Sequence, residues 1–193
     1  MSYLAQDLLN DAERLCKYFL RDNKTHTEGM RLLSEVLTRK NILDEAQFLL
    51  ETLHELEPEN LAASIQLFHV MMRRQRFHSA YELAGELRAQ QPHDDDQIAK
   101  AYAAACFAVG QTDEAGVLYE KLQQVHPTDH QIPISQGHIY NASGDRASAI
   151  NAFKASAAIK PDHGDAYWSL ANTKSYKFDD DQSLQMKELE QDA

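Results

Sequence analysis

Cysteine is scarce in this chain: its 193 residues include only Cys16 and Cys106. The two lie far apart in the sequence, and neither forms a CxxC or a cysteine–histidine spacing. A disulfide framework and a thiolate metal site are therefore not expected, and a reducing compartment is the simpler assumption. Both thiols are predicted to be small core residues.

Basic residues are also few, since 19 Lys and Arg stand against 30 Asp and Glu and give a formal net charge of −11. This balance argues against nucleic-acid binding, which depends on neutralised phosphates, and against docking on anionic lipid. The longest apolar run, 101–110, is far shorter than the roughly 18 residues that a membrane-spanning helix needs. Residues 1–24 contain no signal-peptide apolar region. These absences predict a cytoplasmic protein.

A repeat runs through the chain. Four of its five prolines are spaced by 34, 35 and 34 residues: Pro58, Pro92, Pro127 and Pro161. Twelve residues before each proline there is an alanine: Ala46, Ala80, Ala115 and Ala149. Because two ladders with one period are improbable by chance, the chain is predicted to consist of true repeats.

Each repeat is predicted to contain two helices. A polar or glycine-containing segment divides the unit, and its second half carries apolar residues at helical spacing. Aspartates stand where they would cap three of the second helices: Asp44, Asp113 and Asp145. No segment shows the sustained alternation of a strand, so the fold class is all-α. The alanine has a physical reason, because antiparallel helices approach closely only where one offers little more than a methyl group.

These residues resemble the tetratricopeptide repeat (TPR), a helix–turn–helix unit of about 34 residues. The fit is best over 130–163, where the following positions match: Gly137, Tyr140, Ala149, Phe153, Ala157 and Pro161. Ser34 and Phe68 stand where the family prefers a small residue. The resemblance implies a right-handed α-solenoid that forms a single domain over 1–193. Its parts would be a capping helix (2–22), four repeats (27–60, 61–95, 96–129 and 130–163), and a partial repeat with a C-terminal helix (164–192).

A second likeness covers residues 163–178. The segment HGDAYWSLAN, continued by Lys174, Tyr176 and Phe178, resembles the last repeat of bacterial proteins in which a TPR region precedes a sulfotransferase domain. The resemblance implies an accessory region whose groove presents protein substrates to a catalytic domain beyond residue 193. The 193 residues supply no strand and phosphate-binding loop for the sulfate donor, so no catalytic residue carries over.

The TPR resemblance also implies a concave groove lined by the first helix of each repeat. The groove-facing positions are Arg31, Glu35 and Arg39, then Ile65, His69, Met72 and Arg73, then Lys100, Ala104 and Phe107, then Ile134, His138 and Asn141, and finally Trp168, Asn172 and Tyr176. The N-terminal half of this set is basic, whereas the C-terminal half offers aromatic rings and amides.

The basic half has two interpretations. Local positive charge can steer an acidic ligand even on an acidic protein, which predicts a protein or peptide partner of acidic character. The alternative is that these residues merely solvate a helical face. The carboxylate clamp of TPRs that hold chaperone C-termini is interrupted here by Glu35, Ile65 and Ala104.

Other candidate sites are weaker. His126 and His130 have the spacing of a helical zinc pair, but Pro127 lies between them and a third ligand is missing. The acidic runs 94–96 and 179–181 fall in predicted turns and are interpreted as solvated helix starts. No Gly-rich phosphate loop, nucleophile elbow or HExxH motif occurs. The sequence therefore predicts a non-catalytic interaction scaffold that uses no cofactor or metal.

Three aromatic residues lie near the C-terminal end: Trp168, Tyr176 and Phe178. Because a terminal repeat normally turns a polar face outward, this end patch needs a cover. Either a helix over 180–191, with Leu184 and Leu189, covers it, or a downstream domain or a second copy of the chain does. Homodimerisation through the end patch is thus a further alternative to peptide binding in the groove.

Overall fold

The structure is a computed structural model that describes residues 8–90 and 95–179 together with 182, 184 and 186. These residues form ten α-helices and no strand: α1 Leu9–Asp22, α2 Thr27–Arg39, α3 Leu43–Leu56, α4 Leu61–Arg73, α5 Phe77–Gln90, α6 Asp96–Ala108, α7 Thr112–Val125, α8 Gln131–Ala142, α9 Arg146–Ile159 and α10 Gly164–Asn172. The predicted all-α fold of TPR-like helix–turn–helix repeats is confirmed. Pro92, Asp94 and most of the helix predicted over 180–191 lie outside the described residues.

The chain divides into two compact units, Met1–Ala105 (unit 1) and Cys106–Ala193 (unit 2). In unit 1, each helix from α1 to α4 packs on the next one along the chain. In unit 2, α7, α8, α9 and α10 do the same. Among the described residues, no helix has both the length and the apolar character needed to cross a membrane.

The turn inside each repeat has one residue in the left-handed conformation. These residues and their φ angles are Asn41 at 60°, Gln75 at 59°, Gly110 at 88° and Gly144 at 84°. The next residue closes the helix end, because its N–H donates to a carbonyl five residues earlier, as from Ile42 to Leu37 (2.8 Å) and from Asp145 to Tyr140 (2.9 Å). The turn therefore recurs with the period of the sequence.

Small residues let the helices of a pair approach closely. The four alanines of the ladder have no exposed surface: Ala46, Ala80, Ala115 and Ala149. On α8, a Cβ added at Gly137 would lie 2.3 Å from Cε1 of Phe153, so this contact requires glycine. Ser34 and Phe68, the two departures from the family pattern, are 1% and 2% exposed. Of the cysteines, Cys106 is buried and Cys16 is half-buried.

Only one of the three predicted N-caps is correct. The side chain of Asp145 accepts a hydrogen bond from the N–H of Ser148 (3.1 Å), and hydrogen bonds from Ser148 lower the pKa of this carboxyl. Asp44 and Asp113 instead lie in the first turns of α3 and α7, which begin without a side-chain cap. Their charges still interact favourably with the amino ends of these helices.

Candidate functional site

A pocket of about 210 Å³ lies between α2, α3 and α4, entirely within unit 1. We call it the unit-1 pocket, and its lining residues are Ser34, Glu35, Thr38, Arg39, Leu50, Gln66, His69 and Val70. Glu35, Arg39 and His69 are among the residues that the groove prediction selected. The structure thus brings predicted residues from the first and second repeats to one surface. The other five lining residues are not among the predicted groove positions, although Thr38 and Gln66 lie one helical turn from Glu35 and His69.

The interior of the unit-1 pocket is apolar. Leu50 and Val70 are each 1% exposed and supply aliphatic surface. The hydroxyls of Ser34 and Thr38 are turned towards their own helix, where they donate to the carbonyls of Arg31 and Ser34, both at 2.7 Å. A side chain entering the pocket therefore meets hydrocarbon instead of hydroxyl groups.

Two polar groups of α4 also line the pocket. The buried Oε1 of Gln66 has no hydrogen-bond partner among the described residues, which costs about 1–3 kcal/mol relative to a paired acceptor. The imidazole of His69 lies with its centre 5.4 Å from that of Phe68. Nearby protein atoms partly desolvate this imidazole and lower its pKa, so His69 is neutral at pH 7.

Glutamates alternate with the arginines of α2. Nε and Nη2 of Arg31 each donate to a carboxylate oxygen of Glu28 at 2.7 Å, and Glu35 lies 3.7 Å from the same guanidinium. Glu35 also lies 3.4 Å from Nη2 of Arg39. The hydrogen bonds between Arg31 and Glu28 lower the pKa of the carboxyl and raise that of the guanidinium. Ion pairing therefore offsets much of the positive charge expected on this surface.

Arg73 holds two elements of unit 1 together. Its guanidinium donates to the carbonyl of Thr38 (3.0 Å) and to Oδ1 of Asn41 (2.9 Å), at the carboxyl end of α2. Ile65, Met72 and Ala104 are partly buried and pack against the core of unit 1. Lys100 is also partly buried. Of the predicted groove residues in unit 1, those at the pocket are the best placed to contact a ligand.

In unit 2 the predicted groove residues differ in their surroundings. Ile134 is 8% exposed and belongs to the interior. The ring of His138 lies 5.2 Å from that of Phe153, and burial lowers the pKa of this histidine. Phe107 is partly buried, whereas three others are exposed: Asn141, Trp168 and Asn172.

The three residues of the end patch differ in their surroundings. Trp168 is 65% exposed. Tyr176 and Phe178 instead pack against a buried cluster of unit 2, with their rings 5.1 Å apart and perpendicular. The hydroxyl of Tyr176 donates to Oε1 of Gln182 (2.9 Å). Trp168 is therefore the most exposed of the three.

The weaker candidate sites from the sequence lie at the ends of helices. Asp95 accepts hydrogen bonds from the N–H groups of Gln97 (2.8 Å) and Ile98 (3.2 Å), which confirms it as part of a helix start. His126 follows the end of α7 and His130 precedes α8, so the two do not share a helix. Among the described residues, no group of three His, Cys, Asp or Glu side chains could hold a metal ion.

Comparison with known proteins gives the repeat its class. Residues 41–105 match the family model of the tetratricopeptide repeat. The chain is similar to the structure of YrrB, described as a TPR protein with an unusual peptide-binding site, with 17% identity, coverage of 86% of each chain and a TM-score of 0.67. A thermophilic TPR protein in Thermus thermophilus matches with 15% identity over 90% of this chain and 94% of its own, with a TM-score of 0.71.

MamA from Desulfovibrio magneticus RS-1 is a further structural relative, with 16% identity, coverage of 82% of this chain and 89% of its own, and a TM-score of 0.71. At such low identities these likenesses show the fold alone. A search of curated proteins found no match. Residues 41–105 thus match the tetratricopeptide repeat, and the described residues share the fold of these TPR structures. These comparisons give no support to the predicted relation to sulfotransferases.

Proposed function

We propose that the chain is a non-catalytic scaffold that binds a peptide segment of a partner protein on the α2–α4 face of unit 1, with one apolar side chain inserted into the unit-1 pocket. The observation that carries this proposal is the convergence of Glu35, Arg39 and His69 around an apolar interior. The peptide-binding site named for YrrB agrees with the same class of function.

The size of the pocket favours a side chain over a whole small molecule. Sites for drug-sized ligands and cofactors usually measure about 300–1,000 Å³, whereas an engineered cavity of about 150 Å³ holds benzene. At about 210 Å³, the unit-1 pocket accommodates a leucine- or phenylalanine-sized group. Specific protein interfaces are often anchored by such groups in well-packed pockets.

The stacked helices bind by preorganisation. Ser34, Thr38, Leu50 and Val70 belong to helices whose backbones are already fixed by packing, so little conformational entropy of the receptor is lost on binding. Because glutamates already pair with the arginines of α2, the acidic character of the partner remains a prediction from the sequence. An acidic side chain would have to exchange with Glu28 or Glu35, the glutamates that already pair with the arginines of α2.

Filling the pocket tests the proposal directly. In Thr38→Phe a ring replaces a side chain that lines the pocket, and only a hydroxyl bond to the same helix is lost. Thr52→Phe is the matched control, because Thr52 lies on α3 outside the pocket and its hydroxyl also donates to a carbonyl four residues earlier (Phe48, 2.9 Å).

The partner is first selected from a random peptide-display library on the wild-type protein, and its Kd is then measured for each variant. We expect Thr38→Phe to weaken binding at least about tenfold, which corresponds to about 1.4 kcal/mol, while Thr52→Phe stays close to wild type. Equal affinities of the two variants would refute the pocket as the anchor. Arg39→Glu tests the acidic preference separately, and it is preferable to a change at Arg73, which holds α2 and α4 together.

The two alternatives from the sequence have their own tests. If the chain dimerises through the end patch, the mass measured by light scattering should rise with protein concentration. The Trp168→Ser variant should keep the mass of a monomer at every concentration. The accessory role beside a sulfotransferase predicts a phosphate-binding loop in the reading frame that follows residue 193.

A further inference from the structure

A second pocket, of about 230 Å³, lies between α9 and α10 in unit 2. We call it the unit-2 pocket. The described residues that line it are Lys154, Ala157 and Ala158 on α9, Tyr167 and Leu170 on α10, and Gln182. They belong neither to the predicted groove positions nor to the end patch, and they take no part in the unit-1 pocket.

One side of the unit-2 pocket is hydrocarbon. Leu170 is 1% exposed and belongs to a buried cluster with Ala149 and Phe153. The methyl groups of Ala157 and Ala158 add aliphatic surface from α9. An engineered cavity of about 150 Å³ already holds benzene, whereas drug-sized ligands usually occupy about 300–1,000 Å³. The unit-2 pocket therefore suits a small ligand with one ring or a short branched chain.

The polar part of the lining supplies hydrogen-bond donors. The ammonium group of Lys154 and the hydroxyl of Tyr167 have no hydrogen-bond or ion-pair partner in the part of the chain that the structure describes. Burial raises the pKa of the Tyr167 hydroxyl, so it keeps its proton at neutral pH. Oε1 of Gln182 accepts hydrogen bonds from the N–H of Asp179 (3.3 Å) and the hydroxyl of Tyr176 (2.9 Å). Because a backbone N–H can only donate, this end of the amide is the oxygen, and Gln182 has its Nε2 donors left to offer.

The positive charge at the unit-2 pocket is particular to the fourth repeat. Lys154 lies five residues after the alanine of the ladder, and the other repeats have Glu51, Gly85 and Glu120 at that position. The charge at this place is thus opposite in sign to that of two other repeats and to the net charge of the protein. It is not a general feature of the repeat.

Two aspartates lie close in sequence to lining residues, and each already has a contact. Asp165 lies 3.4 Å from Nε2 of His163. Oδ1 of Asp179 accepts the backbone N–H of Gln182 at 2.8 Å. Neither forms an ion pair with Lys154. Lys154 is therefore the one charged side chain among the described residues that line the pocket.

We propose that the unit-2 pocket binds a small organic acid, in which a single carboxylate is attached to an aromatic or branched aliphatic body. The body packs on Leu170 and the two alanines, and the carboxylate oxygens accept hydrogen bonds from Lys154, Tyr167 and Gln182. A carboxylate has about four acceptor sites and no donor, which matches a lining of donors with one positive charge. The charge-assisted bond to lysine is the strongest of these contacts. This site is independent of the peptide site proposed in unit 1.

The probe is phenylacetate, and its neutral isostere phenylacetamide is the matched control ligand. Each is titrated into the full chain at about pH 7, where the acid is ionised, and the Kd is taken from shifts of the backbone amide resonances in two-dimensional NMR. We expect phenylacetate to shift resonances of α9 and α10 with a Kd of about 1 mM, as is usual for so small a ligand. Phenylacetamide should bind at least about fivefold more weakly, because it lacks the charge.

Three variants assign the contacts. Lys154→Met keeps the apolar stem and removes the charge, so it should weaken phenylacetate at least about fivefold and leave phenylacetamide nearly unchanged. Lys121→Met is the matched control, since Lys121 is an exposed lysine of α7 outside the pocket and its loss changes the net charge equally. Tyr167→Phe keeps the ring and removes the hydroxyl, and it should weaken phenylacetate about threefold. Spectra without ligand verify that each variant is folded.

Four outcomes would overturn the proposal. The first is the absence of shifts in α9 and α10 at about 10 mM phenylacetate, and the second is equal affinity for the acid and the amide. The third is equal weakening in Lys154→Met and Lys121→Met, which would indicate general attraction of an anion. The fourth is tighter binding of a short peptide with a free C-terminal phenylalanine, because the carboxylate would then come from a protein.

Discussion

Replacing Gly137 by alanine isolates the closest helix contact of unit 2. A Cβ at this position would lie 2.3, 2.6 and 2.8 Å from three ring carbons of Phe153, far inside contact distance. Phe153 is 1% exposed, so its ring is enclosed by other protein atoms. Overpacking of this kind typically costs about 1–3 kcal/mol. The severity of the clash places Gly137→Ala at the upper end, about 3 kcal/mol.

A favourable term acts in the opposite direction. Alanine is a better helix former than glycine by about 1 kcal/mol, so the net loss in Gly137→Ala should be about 2 kcal/mol. Gly116, inside α7, supplies the matched control, because a Cβ there would meet nothing within 4 Å. Gly116→Ala should therefore stabilise the protein by about 1 kcal/mol. The difference between the two variants, about 3 kcal/mol, is the steric cost alone.

The free energy of unfolding is measured by urea titration, with the fluorescence of Trp168 as the probe of unit 2. The steric explanation also predicts a rescue: Phe153→Leu should cost less in the Gly137→Ala background than in the wild type, by at least about 1 kcal/mol. If Gly137→Ala were as stable as Gly116→Ala, or if the two changes were additive, the close contact would not be what requires glycine.

Three further predictions concern a turn, a cap and two residues of one buried cluster. Gln75→Gly should stabilise the protein by about 0.5–1 kcal/mol in urea titration, since relief of the left-handed strain exceeds the entropy that glycine loses. Asp145→Ala should lower the Tm at neutral pH, and the difference should vanish in acid, because the cap is lost as the pH falls through the lowered folded-state pKa of Asp145. Phe68→Ala and Ala84→Phe should each destabilise, and the double variant should be more stable than the sum of the single effects predicts, by about 0.5–3 kcal/mol.

The repeat could be predicted from the sequence because its markers are imposed by geometry. Ala46 and its three equivalents are fully buried where two helices touch, so only a small residue is accepted at that spacing. The starts of the second helices were less predictable. The preceding turn, with its left-handed residue and backbone hydrogen bond, fixes where α3 begins, and so Asp44 need not act as a cap.

In these repeats the combined size of two side chains, one on each helix of the unit, is maintained. The size at either position alone varies. In the fourth repeat a glycine on the first helix, Gly137, accommodates Phe153 sixteen residues later. The equivalent residues of the second repeat are Phe68 and Ala84, which reverse the order of large and small within one buried cluster. A position-by-position comparison therefore registers Phe68 as a departure from the family, whereas the volume of the pair is maintained.

The charge around the unit-1 pocket could not be predicted from the groove positions alone. Some of the groups that pair with its arginines lie outside those positions. Arg31 donates to Glu28, which precedes it by less than one helical turn. The guanidinium of Arg73 donates to a backbone carbonyl, and no sequence pattern indicates that hydrogen bond. What remains for a ligand is mainly the apolar interior of the unit-1 pocket. Exposed charges are screened over about 10 Å at 0.1 M salt, while apolar contacts are not. Raising the salt concentration from about 0.05 M to about 0.5 M should therefore change the Kd of a selected peptide by less than about threefold. A tenfold loss would show instead that the arginines exchange their glutamates for an acidic ligand.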